Sequence, residues 1–105
     1  MRFGIDNVLI SRIRSLSPSF PKRVLSSREY GSYLKSGDRD SFLAGRFAAK
    51  EAYVKASGRL GIKYSLVEVL NDDTGKPALF VEGKRTGQVT ITHDFVATAL
   101  VVLDD

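Results

Sequence analysis

The sequence contains no cysteine and only one histidine among its 105 residues. Without cysteine the chain can form neither a disulfide framework nor a thiolate metal site, which fits a reducing compartment. No apolar run approaches the roughly 20 residues that a membrane span requires. The opening residues, MRFGIDNVLISRI, are interrupted by Asp6 and Asn7, so we expect no signal peptide. These absences predict a cytoplasmic protein that does not enter a membrane.

The composition is that of an ordinary globular protein, with 43% hydrophobic and 27% charged residues. A chain of this length falls within the usual size of one domain, so we expect a single domain over residues 1–105. The sequence contains no internal repeat, low-complexity segment or linker.

Basic residues are concentrated in the first third of the chain. Residues 1–35 contain seven basic and two acidic residues, a net charge of +5, whereas the other seventy carry nine basic and ten acidic residues, a net charge of −1. This asymmetry predicts an acidic partner, which could be a nucleic acid, a phosphorylated ligand or an acidic protein. A solvated basic surface without a partner explains the charge equally well.

The hydrophobic pattern predicts an α+β fold, with one long central helix packed on a mainly antiparallel sheet. The expected elements are, in chain order, a strand at 1–10, a short helix or turn at 11–16, a break at 17–21, helices at 27–35 and 41–57, and strands at 66–70, 78–82, 88–92 and 98–103. In the helix at 27–35, we expect Tyr30, Tyr33 and Leu34 to face inward. The second sheet face also carries apolar residues, which a small domain could bury by forming an oligomer.

The central helix contains the segment RFAAKEAYVKASG at 46–58. Its alanines favour helix, Asp40 or Ser41 is the expected N-cap, and Gly58 suits the left-handed residue that follows a helix end. Glu51 and Lys55 lie one turn apart, so the pattern alone predicts a solvated face with an ion pair between them.

Two polar residues stand out in apolar surroundings. Asp6 lies inside the first predicted strand, where its carboxylate must face solvent, find a hydrogen-bond donor or bind a cation. His93 follows the strand at 88–92, and on its own such a residue is more often a surface or capping group.

Three segments, GID at 4–6, GRFAAKEAYVKASG at 45–58 and VTITHDFVATALVV at 89–102, resemble the holo-acyl-carrier-protein synthases. These are small members of the 4′-phosphopantetheinyl transferases, and GKP at 75–77 matches a further short element of that family. The resemblance covers nearly the whole chain in the right order, and its KEA-x-x-KA-x-G core is specific.

The resemblance implies that the phosphopantetheine arm of coenzyme A is transferred to a serine of apo acyl carrier protein, in fatty acid biosynthesis. The other product would be adenosine 3′,5′-bisphosphate. It also implies Mg²⁺, a homotrimer and active sites at the subunit interfaces.

The resemblance further assigns catalytic roles to four residues. Asp6 and Glu51 match the family's metal ligands, and such carboxylates suit the oxygen-seeking Mg²⁺ ion. Lys55 matches a lysine near the scissile phosphate, and His93 matches a residue in the phosphate region of the coenzyme. The base that takes the serine proton could be His93, a metal-bound water or a carboxylate.

Other positions match the family's coenzyme contacts. Arg46 and Phe47 correspond to residues near the coenzyme, although Phe47 could equally belong to the core. Gly58 matches a glycine that lets the backbone approach the ligand, and Lys76 in GKP is a candidate for the nucleotide end. Lys55 and His93 complete this cofactor-binding set.

In this family, acidic acyl carrier proteins bind to a basic helix that follows the first strand. Arg12 matches a docking arginine, and Arg14 lies close to it. The sequence departs from the family between Ile13 and Phe20, where the segment is short and contains Pro18, and after Gly58, where the loop is also shortened. We therefore expect a reshaped partner surface.

Two alternatives to the transferase follow from the sequence. A small basic nucleic-acid-binding module without catalysis would explain the pI of about 9.6, but no aromatic pair or recognition helix typical of such modules is present. A family member reduced to a structural trimer is the other, and the retained Asp6, Glu51, Lys55 and His93 argue against it.

Overall fold

A computed structural model describes residues 1–104 of the chain. Its elements are β1 (Arg2–Leu9), α1 (Ile10–Ile13), α2 (Phe20–Val24), α3 (Ser27–Lys35), α4 (Arg39–Ser57), a 3₁₀ turn (Tyr64–Leu66), β2 (Val67–Asn71), β3 (Pro77–Val81), β4 (Lys84–Arg85), β5 (Gln88–His93) and β6 (Val96–Leu103). None of the helices among residues 1–104 combines the length and the apolarity needed to cross a bilayer.

The predicted α+β architecture is confirmed, with a long helix against antiparallel strands. The strands form two three-stranded sheets, ordered β1-β6-β5 and β2-β3-β4. In the first sheet, β6 pairs with β1 from Arg2↔Leu103 to Leu9↔Val96 and with β5 on its other side. The first strand of the chain is thus joined to the last, and α4 covers the inner face of this sheet.

Helix α4 begins slightly earlier than predicted, because its N-cap is Asp38 and not Asp40 or Ser41. The Asp38 carboxylate accepts hydrogen bonds from the Ser41 amide at 3.1 Å and from its hydroxyl at 2.7 Å. At the other end Gly58 has the expected left-handed conformation, with φ of 75°. The buried face of the helix consists largely of alanine, a side chain small enough to let the helix lie close to the sheet.

The closest approach between α4 and the sheet occurs at Gly4. A Cβ atom placed on Gly4 would lie 1.9 Å from the carbonyl oxygen of Ala52 and 2.7 Å from the amide nitrogen of Ala56. Only glycine therefore fits this position of β1. Because alternate residues of a strand share a face, the same arrangement directs Asp6 towards α4.

The segment between β1 and α4 is more helical than predicted. Residues 17–21 were expected only to break regular structure, but α2 begins at Phe20 with Pro21 in its first turn, where a missing amide hydrogen costs little. The prediction for α3 is confirmed, with Ser26 and Glu29 forming a reciprocal capping box. Tyr30 and Tyr33 are half-buried, whereas Leu34 is 46% exposed and does not face inward as predicted.

The outer face of the first sheet is apolar and uncovered in the single chain. Phe3 and Ile5 are 62% and 60% exposed there, opposite Val102 and Leu100 of β6. The sequence predicted apolar residues on this second face of the sheet, and the structure places Phe3 and Ile5 there.

Candidate active site

Asp6 and Lys55 form an ion pair between β1 and α4. Lys55 Nζ donates to Asp6 Oδ1 at 2.9 Å and to the backbone oxygen of Ile5 at 3.2 Å. The Asp6 side chain is mostly buried, while that of Lys55 is half exposed. The ion pair predicted between Lys55 and Glu51 is therefore wrong, because the lysine reaches across to the strand that Gly4 brings close.

Glu51 is hydrogen-bonded to a residue that the sequence did not single out. The hydroxyl of Tyr64 donates to Glu51 Oε1 at 2.7 Å. Burial, this hydrogen bond and the charges of Glu51 and Asp6 raise the pKa of Tyr64, so the phenol stays protonated and remains a donor near neutral pH. Glu51 and Lys55, the partner of Asp6, are one turn apart on α4, so Asp6 and Glu51 lie on the same side of the helix. Nothing in the local pattern around Tyr64 predicts this contact.

Asp6 and Glu51 each have a carboxylate oxygen that could serve as a ligand for a cation. Among residues 1–104, the hydrogen bonds to Asp6 and Glu51 end on Oδ1 and Oε1, which leaves Oδ2 and Oε2 available as ligands. No group of three or more His, Cys, Asp or Glu side chains in that range could hold a metal ion. Magnesium commonly takes one or two carboxylates and completes its coordination with phosphate oxygens and waters.

Phe47 lies beside these carboxylates in an aromatic cluster. Its ring centroid is 5.3 Å from that of Phe20 and 6.0 Å from that of Tyr64. Phe47 is half-buried, so it packs against the core and still offers part of its ring to solvent. Its exposed ring surface can therefore line the site next to Tyr64.

Arg46 and His93 line a second place on the molecule, a pocket of about 180 Å³ that Asp38, Ser41 and Ile91 also line. His93 is exposed at the end of β5. The Ser41 hydrogen bonds hold the pKa of Asp38 below its usual range, and the charge of His93 acts in the same direction.

The guanidinium of Arg46 is only partly satisfied. It stacks over the Phe42 ring at 4.1 Å and donates to Asn71 Oδ1 at 3.1 Å. Its Nε is buried and, within residues 1–104, is the one buried side-chain nitrogen or oxygen without a hydrogen-bond partner. Burial lowers the pKa of Arg46, opposed by the charge of Glu29. Because Arg46 lines the pocket, its guanidinium suits an anion bound there.

The two groups of residues lie on different sides of α4. Arg46 and Glu51 are five residues apart, which corresponds to about 140° around the helix at 3.6 residues per turn. The structure therefore brings Asp6, Glu51 and Lys55 together on one side of the helix and associates Arg46 with His93 on another. We call these the carboxylate half-site and the arginine half-site.

The remaining predicted coenzyme contacts lie elsewhere. Gly58 ends α4, and a Cβ added there would meet nothing within 4 Å, so helix termination accounts for this glycine. Lys76 follows the β2–β3 turn, and its amide donates to Asp72 Oδ1 at 3.0 Å. Its side chain lines a cavity of about 260 Å³ with residues of β5 and β6, away from both half-sites.

The predicted docking arginines lie in and directly after α1, at the end of β1. Arg12 is exposed in the helix, whereas Arg14 Nε donates to Asp40 Oδ2 at 2.7 Å. This ion pair and its hydrogen bond raise the pKa of Arg14. Part of the basic charge that the sequence places in this region is therefore neutralised by α4.

Comparison with known proteins identifies the family. Residues 2–100 match the family model described as the 4′-phosphopantetheinyl transferase superfamily. A holo-[acyl-carrier-protein] synthase of Chlorobaculum tepidum is 41% identical over 115 aligned positions, covering 99% of this chain and 98% of its own.

Solved structures show the same fold. A Bacillus anthracis holo-(acyl-carrier-protein) synthase, solved in complex with CoA (3′,5′-ADP), matches with a TM-score of 0.88 and 36% identity over 97% of this chain and 94% of its own. The Thermotoga maritima synthase gives a TM-score of 0.83 and 36% identity, covering 98% of this chain and 62% of its own. This chain is therefore an enzyme of the 4′-phosphopantetheinyl transferase superfamily and belongs to its holo-[acyl-carrier-protein] synthases.

Proposed function

We propose that the chain transfers the 4′-phosphopantetheine group of coenzyme A to a serine of apo acyl carrier protein, in a reaction that requires Mg²⁺. The observation that carries the proposal is the carboxylate half-site, in which two carboxylates with unoccupied oxygens lie beside a lysine. That arrangement suits a pyrophosphate, whose negative charge must be neutralised before a hydroxyl can attack it. The B. anthracis relative solved with CoA supports this choice of substrate.

The reaction forms a bond between the serine oxygen and the phosphorus of the pantetheine phosphate. The bond from that phosphorus to the bridging oxygen breaks, and adenosine 3′,5′-bisphosphate leaves. A bound Mg²⁺ held by Asp6 and Glu51 would neutralise phosphate charge. Lys55 would donate a hydrogen bond to the leaving phosphate, since its bonds to Asp6 and Ile5 use only two of its three ammonium hydrogens. The serine proton passes to a base, for which His93, a water or a carboxylate are the candidates.

The arginine half-site suits a second phosphate of the coenzyme. Arg46 and His93 line the same pocket, where both can donate hydrogen bonds to phosphate oxygens. Because this pocket and Glu51 lie on different sides of α4, we propose that each active site combines the carboxylate half-site of one chain with the arginine half-site of a neighbour.

A homotrimer is the assembly that we propose on the family resemblance. The apolar outer face of the first sheet, with Phe3 and Ile5 more than half exposed, supports association of the chains. Arg12, exposed in α1, is the residue that we expect to contact the acidic carrier protein, with a smaller contribution from Arg14. Fatty acid biosynthesis and a cytoplasmic location stay predictions from the sequence.

The ion pairs of the basic residues count against a nucleic-acid-binding module. Arg14, Arg28 and Arg59 are paired with Asp40, Glu68 and Glu82 at 2.7, 2.7 and 2.8 Å. Paired arginines are less available to phosphates, so fewer cations are free to bind a nucleic acid than the high pI suggests.

The experiment that tests the proposal is intact mass spectrometry of an apo acyl carrier protein incubated with this protein, coenzyme A and Mg²⁺. We expect a mass gain of roughly 340 Da, the mass of one phosphopantetheine group, which a chelator abolishes. A carrier protein that stays unmodified with several candidate partners would contradict the proposal. Salt-sensitive binding to duplex DNA under the same conditions would then favour the nucleic-acid-binding alternative.

A further inference from the structure

A buried ion pair lies directly behind the carboxylate half-site. Lys50 and Glu29 have side chains that are 0% exposed, and Lys50 Nζ donates to Glu29 Oε1 at 2.7 Å. The same ammonium donates to the backbone oxygen of Tyr64 at 2.8 Å and to that of Val67. All three donors of the lysine are therefore used, two of them on the segment that follows α4.

The partner carboxylate is equally well satisfied. Glu29 Oε1 also accepts from the Ser26 amide at 2.9 Å, and Oε2 accepts from the Val69 amide at 2.8 Å. One carboxylate thus joins the start of α3, the middle of α4 and strand β2. A fully satisfied polar network of this kind fixes the relative positions of the elements it connects.

Tyr64 is held at three points as a result. Its carbonyl oxygen accepts from Lys50, its ring packs on Phe47, and its hydroxyl donates to Glu51 Oε1. Lys50 and Glu51 are consecutive residues whose side chains leave α4 about 100° apart. The lysine therefore holds the backbone of Tyr64 while the glutamate receives its hydroxyl.

From this geometry we propose that Tyr64 is a positioning residue for Glu51, and that the buried Lys50–Glu29 pair fixes Tyr64 for this task. The hydroxyl occupies Oε1 and restricts rotation of the carboxylate, so that Oε2 is presented to the cation. This inference rests on the proposed function, because it assigns a task only if Glu51 is a metal ligand. Partners of this kind commonly change metal affinity about 10- to 100-fold when they are removed.

The test is Tyr64→Phe, which removes the hydroxyl and retains the ring beside Phe47. Binding of coenzyme A is measured by calorimetry over a series of Mg²⁺ concentrations, and transfer rates are measured over the same series. We expect the Mg²⁺ concentration for half-maximal coenzyme binding to rise about tenfold, with the rate at saturating Mg²⁺ changed less than threefold. Tyr30→Phe, which removes the same atom from a half-buried tyrosine of α3, should leave both measurements unchanged.

A second pair of variants separates positioning from a general effect on structure. In a Glu51→Asp background the shorter side chain no longer reaches the phenol, so adding Tyr64→Phe should change the Mg²⁺ dependence less than twofold. Residues that act through one another are not additive in this way. A full tenfold effect in that background would show that Tyr64 does not act through Glu51.

The outcomes distinguish the two proposals. If the unsubstituted protein neither transfers the arm nor binds coenzyme A with Mg²⁺, the proposed function fails and the positioning role falls with it. If that protein is active and Tyr64→Phe keeps its Mg²⁺ dependence, only the positioning role is overturned.

Discussion

Gly4 of β1 and Ala52 of α4 touch backbone to backbone, since a Cβ on Gly4 would lie 1.9 Å from the Ala52 carbonyl oxygen. Two residues beyond Gly4, Asp6 receives a hydrogen bond from Lys55, one turn beyond Glu51 in the same helix. The absence of a side chain at Gly4 therefore sets the distance at which the acidic strand residue meets the helix. In the GID segment, Gly4 therefore provides the close packing and Asp6 the carboxylate of the site.

Gly4→Ala should destabilise the protein by about 3 kcal/mol or more, because backbone atoms that cannot rotate away would block the added methyl group. Urea denaturation followed by circular dichroism measures this loss. Gly31→Ala in α3 is the control, because nothing lies within 4 Å of its Cβ position. Alanine there should raise the free energy of unfolding by about 0.5–1 kcal/mol. Equal stability of Gly4→Ala and the unsubstituted protein would contradict the close packing.

Lys50→Met should cost about 3–5 kcal/mol of the free energy of unfolding, because it leaves the Glu29 carboxylate buried without its cation. The double variant Glu29→Gln, Lys50→Met should recover part of this loss, since no buried charge is then left unpaired. Lys63→Met, at an exposed position, should change stability by less than about 0.5 kcal/mol. A double variant whose loss equals the sum of the two single losses would argue against a coupled pair.

Glu51→Gln should lower the transfer rate about 100-fold or more while leaving the unfolding midpoint nearly unchanged, because the amide cannot replace a charged metal ligand. The rate is followed by intact mass of the carrier protein at several Mg²⁺ concentrations. Glu82→Gln is a matched change at an exposed carboxylate paired with Arg59 and should be silent. Transfer by Glu51→Gln at the unsubstituted rate would remove Glu51 from the metal site.

Mixing two inactive variants tests whether active sites are shared between chains. Glu51→Gln disables the carboxylate half-site and His93→Ala the arginine half-site. When equal amounts of the two variants are mixed and their subunits exchange freely, about one quarter of the active sites should contain both intact half-sites and recover activity. Each variant incubated alone, and a mixture kept from exchanging, are the controls. A mixture as inactive as its components would mean that both half-sites must belong to one chain.

The Arg28–Glu68 pair predicts a pH-dependent contribution to stability. Burial raises the pKa of Glu68, but the hydrogen bonds from Arg28 and the charge of Arg28 outweigh it and hold that pKa below its usual value. A lowered carboxyl pKa stabilises the folded state above the unfolded pKa of about 4.5, and this contribution is lost as the pH falls through the folded pKa. Arg28→Met should therefore lower the free energy of unfolding at pH 7 and have a smaller effect near pH 3. Denaturation series at the two pH values measure this difference, and an equal effect at both would contradict the assignment.

The features that sequence predicted well are those set by neighbouring residues. The bounds of α3 follow from Ser26 and Glu29, which cap the same turn, and the end of α4 follows from Gly58. The partner of Lys55 was mispredicted because its long side chain can reach either Glu51 on its own helix or Asp6 on β1. The close packing at Gly4 brings Asp6 near enough to form the ion pair. Tyr64 could not be found at all, since its contacts with Lys50 and Glu51 join residues 14 and 13 positions apart across a shortened loop.

The pairing of β1 with β6 also fixes when this protein can fold during synthesis. Arg2 lies opposite Leu103, so β1 leaves the ribosome well before β6, and its backbone is not paired until β6 follows. At about 5–20 residues per second that interval lasts several seconds, during which Phe3 and Ile5 sit on an open strand edge. A chain that stops short of β6 keeps that edge unpaired, which makes prematurely ended products prone to aggregate.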